Sequence, residues 1–233
     1  MYGYYWRFDP TYLLIIIGML LSLAASAKLK STFAVYRSRR SASGLTGAEA
    51  ARRILNAAGI TDVQIVPVSG SLTDHYDPRS KTVRLSEDIY GQTSLAAVGV
   101  AAHECGHAIQ HHIDYAPLSI RSALVPVANF GSTLSWPLFF AGLIFSIQPL
   151  LTLGIVLFSF AVLFQLVTLP VEFNASSRAL HMLESTGILS RDENSGARKV
   201  LRAAALTYVA ALASSILQLL RLIILAGGRR SDD

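Results

Sequence analysis

Residues 101–112 read AAHECGHAIQHH and contain an H-E-x-x-H string made of His103, Glu104 and His107. In an α-helix, residues four apart lie one turn apart and about 40° apart around the axis. Both imidazoles can therefore reach a single metal ion, which histidine nitrogens bind at about 2.0–2.1 Å when the ion is Zn²⁺. The stretch predicts a helix that supplies two ligands to a zinc ion.

The residues between the two histidines have distinct expected roles. Glu104 lies on the same side as the histidines, where it would take a proton from a zinc-activated water and pass it to a leaving amine. Cys105 faces away from His103 and is expected to be a small buried hydrophobe. Gly106 costs about 1 kcal/mol inside a helix, which indicates a packing or functional reason for its presence.

Two histidines do not complete a hydrolytic centre, and the nearest further ones are badly placed. His111 is eight residues beyond His103, or about 12 Å along a helix axis, so the two cannot share an ion with His107 on a straight helix. Metzincins need glycine and histidine at positions 110 and 113, where this chain has Gln110 and Ile113. We therefore expect His111, and His112 beside it, to be surface or interfacial residues.

Glu172 is the better candidate for the third ligand. It lies in TLPVEFNASSRAL, directly after an apolar segment that ends at Pro170, and is expected to begin a helix. A carboxylate in such surroundings needs a partner. Two membrane segments separate it from His107, an even number, so both return to the same side. The predicted site is His103, His107 and Glu172, with one ligand position open for water.

The composition indicates a membrane protein. Of 233 residues, 52% are hydrophobic and only 15% are charged, whereas globular proteins carry about 25% charged residues. Four apolar segments account for the difference: residues 12–27, 124–147, 150–169 and 203–226. The second is interrupted by Pro126 and Pro137, and a tight break at 146–149 joins it to the third as a transmembrane hairpin.

The remaining chain predicts a small α+β part. A helix begins at a Thr46/Glu49 capping box and stops at Gly59. A strand at 63–68 and a hairpin at 71–86 follow. Thr93 is the expected N-cap of the H-E-x-x-H helix, which runs to about residue 112. A second capping box is expected at Ser190, with residue 193.

Five segments result from this division of the chain. They are an N-terminal anchor at 1–30, an α+β catalytic part at 41–118, the hairpin at 119–170, a third-ligand helix and polar segment at 171–202, and a C-terminal membrane helix with its tail at 203–233.

The charges suggest an orientation in the membrane. The net charge is +5, and a basic cluster at residues 28–40 follows the first apolar segment. The positive-inside rule explains this cluster better than nucleic-acid binding does. It places the N-terminus outside, with the aromatic residues of 2–6 in the interface, and the active site on the cytoplasmic side. The same count of crossings places Arg229 and Arg230 outside, against the rule. The lone Cys105 permits no intrachain disulfide.

The stretches VAAHECGHAIQ, SLTDHYDPRS, LPVEFNASSRAL and AAALTYVAAL resemble the YugP-like family of bacterial neutral zinc metallopeptidases, which are membrane proteins. Their order is also similar to that of HtpX-type membrane proteases, whose third ligand is the glutamate of E-x-x-A-D. Here Glu172 begins the E-x-x-A part, and Ser176 stands where those proteins have aspartate. The resemblance implies a gluzincin-like metallopeptidase core in a mainly α membrane protein with about four membrane helices.

The predicted function is that of a zinc-dependent endopeptidase anchored in the bacterial plasma membrane, with Zn²⁺ as cofactor and Glu104 as general base. Its partners would be protein or peptide substrates and the lipid bilayer, not nucleic acid, with room for an oligomer or a membrane-protein partner. His75 and Tyr76, at the edge of the hairpin, are candidates for binding substrate. Two alternatives are a non-catalytic zinc-binding scaffold and an intramembrane site-2-type protease, the latter disfavoured by the short apolar run before His103.

Overall fold

The computed structural model describes residues 9–227, which fold into six helices and three strands. The expected interfacial aromatics at 2–6 and the terminal Arg229 and Arg230 lie outside this range. The elements are α1 (Tyr12–Arg37), α2 (Gly47–Ala57), β1 (Gln64–Val68), β2 (His75–Asp77), β3 (Thr82–Ser86), α3 (Leu95–His112), α4 (Ala116–Phe145), α5 (Gln148–Ser185) and α6 (Arg191–Gly227).

The chain divides into two compact units. The first comprises residues 1–24, 124–166 and 209–233, and the second comprises residues 25–123 and 167–208. Helices α1, α4, α5 and α6 contribute to both units. These four helices are long and apolar enough to cross a membrane. The chain is therefore a mainly α membrane protein with a small α+β core, as the sequence predicts.

The first unit has the surface of a bundle that faces lipid. Phe130, Ile144 and Phe145 are 66%, 74% and 69% exposed, which would be unfavourable in water but suits a hydrocarbon environment. Its interior holds a small apolar cluster around Phe139 and Leu151. Lipid gives little hydrophobic driving force between helices, so close packing has to hold such a bundle together.

The prolines do not end the helices, contrary to the expectation for Pro170. Pro126 and Pro137 lie inside α4, and Pro170 lies inside α5. Glu172 is therefore in the interior of a 38-residue helix rather than at the start of a new one. Membrane helices tolerate proline because neighbouring groups can satisfy the backbone positions that it frees. The predicted break at Ser146 is confirmed, and that residue has a left-handed φ of 56°.

The second unit contains the sheet and the helices that position the site. Strand β3 is central, pairing in parallel with β1 and antiparallel with β2. The predicted hairpin is thus present, with Tyr76 opposite Val83. Helix α2 begins with the expected Thr46/Glu49 capping box, and Gly59 follows its end with a φ of 73°. Ser190 and Glu193 form the other predicted box.

The N-cap of α3 is Ser94 and not Thr93. The Ser94 hydroxyl accepts a hydrogen bond from the Ala97 amide at 3.1 Å. The Thr93 carbonyl accepts instead from the Ser41 amide at 2.8 Å. Two adjacent hydroxyl residues satisfy the same capping pattern in sequence, and the tertiary contact to Ser41 decides between them. The ligand helix therefore begins one residue later than predicted.

Candidate metal centre

The structure brings His103, His107 and Glu172 together. The Oε2 atom of Glu172 lies 3.2 Å from His103 Nε2 and 3.6 Å from His107 Nε2. One potential ligand atom from each residue lies within 4.8 Å of the others. Tetrahedral zinc with bonds of about 2.0–2.1 Å separates its ligand atoms by roughly 3.3–3.4 Å. The donor set and the spacing both fit a zinc ion.

Helices α3 and α5 approach closely because of Gly106. A Cβ atom at this position would lie 2.5 Å from the Ala175 carbonyl oxygen, which is closer than Cβ atoms approach non-bonded atoms in proteins. Of the packing or functional reason predicted for Gly106, the structure shows the packing one, since the glycine lets the α3 backbone lie directly on α5. On α3 the contact lies between His103 and His107, and on α5 it lies three residues after Glu172. Packing at Gly106 thus sets the separation of the three candidate ligands.

Gln110 fixes the ring orientation of His107. Its amide nitrogen donates to the Val171 carbonyl at 2.9 Å and to Asn174 Oδ1 at 3.0 Å, which uses both of its hydrogens. Its Oε1 atom must then accept from His107 Nδ1, 3.0 Å away. Nδ1 of His107 consequently carries a proton, which leaves Nε2, on the side of Glu172, as the nitrogen that can bind a metal ion. Metal-binding histidines usually have such a partner on the other nitrogen.

Ser176 plays the corresponding part for His103. Its hydroxyl oxygen lies 3.1 Å from His103 Nδ1, and Nε2 again faces Glu172. When Nε2 binds a metal, Nδ1 carries the proton and the hydroxyl accepts it as a hydrogen bond. The serine that stands in place of the aspartate of E-x-x-A-D therefore still contacts the first histidine. A hydroxyl is a neutral acceptor, so it orients the ring without adding a second negative charge beside Glu172.

Glu104 lies beside this cluster on a cavity of about 160 Å³, which His103 and Glu172 also line. Only 7% of the residue is exposed. Burial raises the pKa of the Glu104 carboxyl, while the neighbouring His103 and His107 partly oppose the increase. A higher pKa makes the carboxylate a stronger proton acceptor near neutral pH. The arrangement therefore offers a base beside the predicted metal and a space for a small molecule.

Two polar residues near Glu172 were not predicted from the sequence. Arg121 Nη2 is 4.0 Å from Glu172 Oε1, and within residues 9–227 the buried Arg121 Nε has no hydrogen-bond partner. Tyr208 lines the same cavity as Glu104. Both residues belong to long apolar helices of the chain. A polar side chain in such a helix was the one signal that could have indicated them.

The candidates for substrate binding lie elsewhere. His75 is exposed, and its Nδ1 lies 2.8 Å from the carbonyl of Thr73. The hydroxyl of Tyr76 is hydrogen-bonded to His111 Nδ1 at 2.8 Å. Burial raises the pKa of Tyr76 to about 12, so the phenol keeps its proton at neutral pH. Neither His75 nor Tyr76 lines the cavity beside Glu104, and their role in substrate binding stays a prediction.

Cys105 is buried completely, as expected from its direction on the helix. Its thiol lies 3.6 Å from the carbonyl of Ala51 on α2. Burial, together with the charge of Glu104, raises the pKa of the thiol far above its usual range. Thiolate chemistry is therefore suppressed, and Cys105 acts as a packing residue.

Comparison with known proteins identifies the family. Residues 11–227 match the family described as "putative neutral zinc metallopeptidase". The chain belongs to this family. It is also 50% identical over 220 residues to a protein of Bacillus subtilis (strain 168) named "putative membrane protease YugP", a match that covers 94% of this chain and 98% of that protein. No solved structure matches the chain.

Proposed function

We propose that this protein is a membrane-anchored, zinc-dependent endopeptidase. The observation that supports it most is the convergence of His103 Nε2, His107 Nε2 and Glu172 Oε2 beside the buried carboxylate of Glu104. Three protein ligands with one position left open are typical of catalytic zinc, whereas structural zinc is usually closed by four. The position of Glu104 on a cavity supports turnover over a purely structural role.

The residues divide the work of peptide hydrolysis. His103, His107 and Glu172 would hold the ion, with Ser176 and Gln110 orienting the two rings. A zinc ion, when bound, supplies a Lewis acid that polarises a carbonyl and lowers the pKa of water. Glu104 would accept the proton of the attacking water and later deliver it to the amine that leaves. The largely apolar lining of the cavity would limit the amount of water around that proton transfer.

The first experiment compares the wild type with Glu104→Gln, purified in detergent. Both should bind one zinc ion per chain, because Glu104 is not among the ligands. Only the wild type should cleave an unfolded protein such as casein, with the variant slower by about 10²- to 10⁴-fold. Equal cleavage by both proteins would contradict the role of Glu104. Equal zinc content with no cleavage by the wild type would support the scaffold alternative.

Glu172→Ala tests the third ligand. Removal of the carboxylate should lower the zinc content of the purified protein and abolish cleavage. Glu184→Ala is a matched control, because Glu184 lies on the same helix, is exposed and pairs with Arg191. Unchanged zinc in Glu172→Ala, or an equal loss in Glu184→Ala, would exclude Glu172 as the third ligand.

We also propose that the protein resides in the bacterial plasma membrane with its site in the cytoplasm, since the basic cluster at 28–40 follows the first apolar stretch. The buried Cys105 leaves little reactive thiol in the native chain, so introduced cysteines can report the side. Arg39→Cys should resist an impermeant maleimide in intact cells and react after lysis. Labelling of Arg39→Cys in intact cells would show that this residue, and with it the site, lies outside the cytoplasm.

A further inference from the structure

A second groove lies next to the cavity that contains Glu104. It has a volume of about 370 Å³ and runs between the polar parts of α5 and α6. Ser176, Leu201 and Ala205 line both this groove and the cavity that contains Glu104. The two spaces are therefore adjacent, and they share the serine that contacts His103.

The far part of the groove is basic. Arg198 and Arg202 line it from α6, and His181 lines it from α5. The two arginines are exposed and lie one turn apart on the same helix face. Within residues 9–227 neither arginine has a hydrogen-bond or ion-pair partner. Two solvated guanidinium groups thus line the same space, and neither of them is paired with a carboxylate.

The one acidic residue that lines the groove is already engaged. Glu184 Oε1 is 3.1 Å from Arg191 Nε, and its Oε2 lies 3.5 Å from Asn194 Nδ2. Arg191 does not line the groove, so the negative charge of Glu184 is paired with a side chain outside the groove. The groove therefore retains the positive charge of Arg198 and Arg202.

The dimensions suit a short extended peptide. From Ser176 to Glu184 the wall on α5 advances eight residues, or about 12 Å at 1.5 Å per residue. An extended chain covers this length with about three or four residues at 3.3–3.6 Å each. A peptide with its reacting carbonyl at the cluster would thus place its next residues beside the arginines.

We infer that this groove is a substrate subsite that selects acidic peptide segments on one side of the bond to be cleaved. The inference rests on the proposed function, because it assigns the substrate class of the same site. Arg198 and Arg202 would pair with aspartate or glutamate side chains or with a terminal carboxylate. The position of the groove beside the Glu104 cavity favours a peptide over a lipid headgroup, because a headgroup has no need to lie next to the metal ligands.

The test uses binding, so that it does not depend on turnover. Three fluorescent peptides share one apolar centre and carry flanking residues that are acidic, amide or basic. Their affinity is measured by anisotropy for zinc-loaded Glu104→Gln protein in uncharged detergent. The acidic peptide should bind about five- to tenfold more tightly than the amide peptide, as expected for two exposed charge pairs. Equal affinities would overturn the inference.

Variants locate the effect. Arg198→Gln with Arg202→Gln should abolish the preference, and Arg198→Glu with Arg202→Glu should invert it in favour of the basic peptide. Arg79→Gln with Lys199→Gln removes the same charge, and since neither residue lines the groove the preference should persist. An equal loss in this control would show a general charge effect and overturn the subsite.

The first two of three further outcomes separate this inference from the proposed function, and the third tests a lipid ligand. If wild type cleaves all three peptides equally and binding shows no charge preference, the endopeptidase stands and the subsite fails. If binding is charge-selective but the wild type cleaves none of them or any unfolded protein, the groove stands and the endopeptidase fails. If the arginine variants lose binding only to phosphatidylglycerol vesicles, the groove contacts lipid and the inference is wrong.

Discussion

At the scale of single residues, the candidate ligands depend on neutral partners behind them. His107 is oriented by the buried amide of Gln110, and His103 by the hydroxyl of Ser176. Each partner holds Nδ1, so each Nε2 faces Glu172. Both partners are uncharged, so they orient the rings without adding charge, and the carboxylates that line the adjoining cavity are those of Asp74, Glu104 and Glu172.

Ser176→Ala should weaken zinc binding without unfolding the protein. Loss of the hydroxyl frees the His103 ring to rotate, and removal of such a partner typically costs 10- to 100-fold in metal affinity. The measurement is a zinc titration against a chromophoric chelator. Ser177→Ala is the control, because that neighbour is exposed and makes no contact with His103. Wild-type affinity in Ser176→Ala would show that the contact has no effect on the metal.

The motif residues were predictable from the sequence because they are local. Helical periodicity alone brings His103, Glu104 and His107 to one side and directs Cys105 away. The low helix propensity of glycine indicates that Gly106 has a specific role. The partner residues could not be predicted in the same way. Gln110 looked only like a departure from the metzincin pattern, although its position three residues after His107 places it on the same face. Arg121 is 51 residues from Glu172 in sequence, and only the fold brings them together.

At the scale of elements, the site depends on how closely two helices pack. Alanine has the higher intrinsic helix propensity by about 1 kcal/mol, so Gly106→Ala would stabilise an isolated α3. In the protein, the added Cβ would meet the Ala175 carbonyl oxygen at 2.5 Å. The two effects on the free energy of unfolding therefore have opposite signs, and the contact with backbone should prevail.

We expect Gly106→Ala to lower the free energy of unfolding by about 1–3 kcal/mol, the usual cost of overpacking, and also to weaken zinc binding. Thermal unfolding and zinc titration measure the two effects. Gly91→Ala is the matched control, since nothing lies within 4 Å of its added Cβ, and both quantities should stay close to wild type. A Gly106→Ala protein as stable as wild type would show that the helices can separate freely.

Element boundaries were the weaker part of the sequence prediction. Pro170 looked like a helix end because proline removes a hydrogen-bond donor and disfavours helix in the residue before it. The helix nevertheless continues to Ser185. Glu172 was therefore placed in the correct region for the wrong local reason.

At the scale of the whole molecule, the residues of the site lie far apart in the sequence. The histidines come before α4, and the glutamate comes after the apolar part of α5. Parity of membrane segments predicted that both return to one side, but it gave no distance. The contact of α3 with α5 supplies that distance. A bound ion would therefore link two elements that are 69 residues apart at His103 and Glu172.

This link predicts that zinc protects Cys105 from alkylation. The thiol is fully buried and is the only one in the chain, so it should react only when α3 separates from the core. Zinc present at about 100 times its Kd stabilises the closed state by about 2.7 kcal/mol, which slows reaction through an open state by about 100-fold. The rate of labelling by a maleimide, followed by mass spectrometry with zinc and with chelator, measures the effect.

The matched control places the thiol on the surface. Arg79→Cys in a Cys105→Ala background carries its cysteine at the exposed hairpin turn, and its labelling rate should be fast and indifferent to zinc. Two results would contradict the link between metal and core. One is Cys105 labelling that zinc does not slow, and the other is slowing of both proteins alike, which would indicate direct interference of zinc with the reagent.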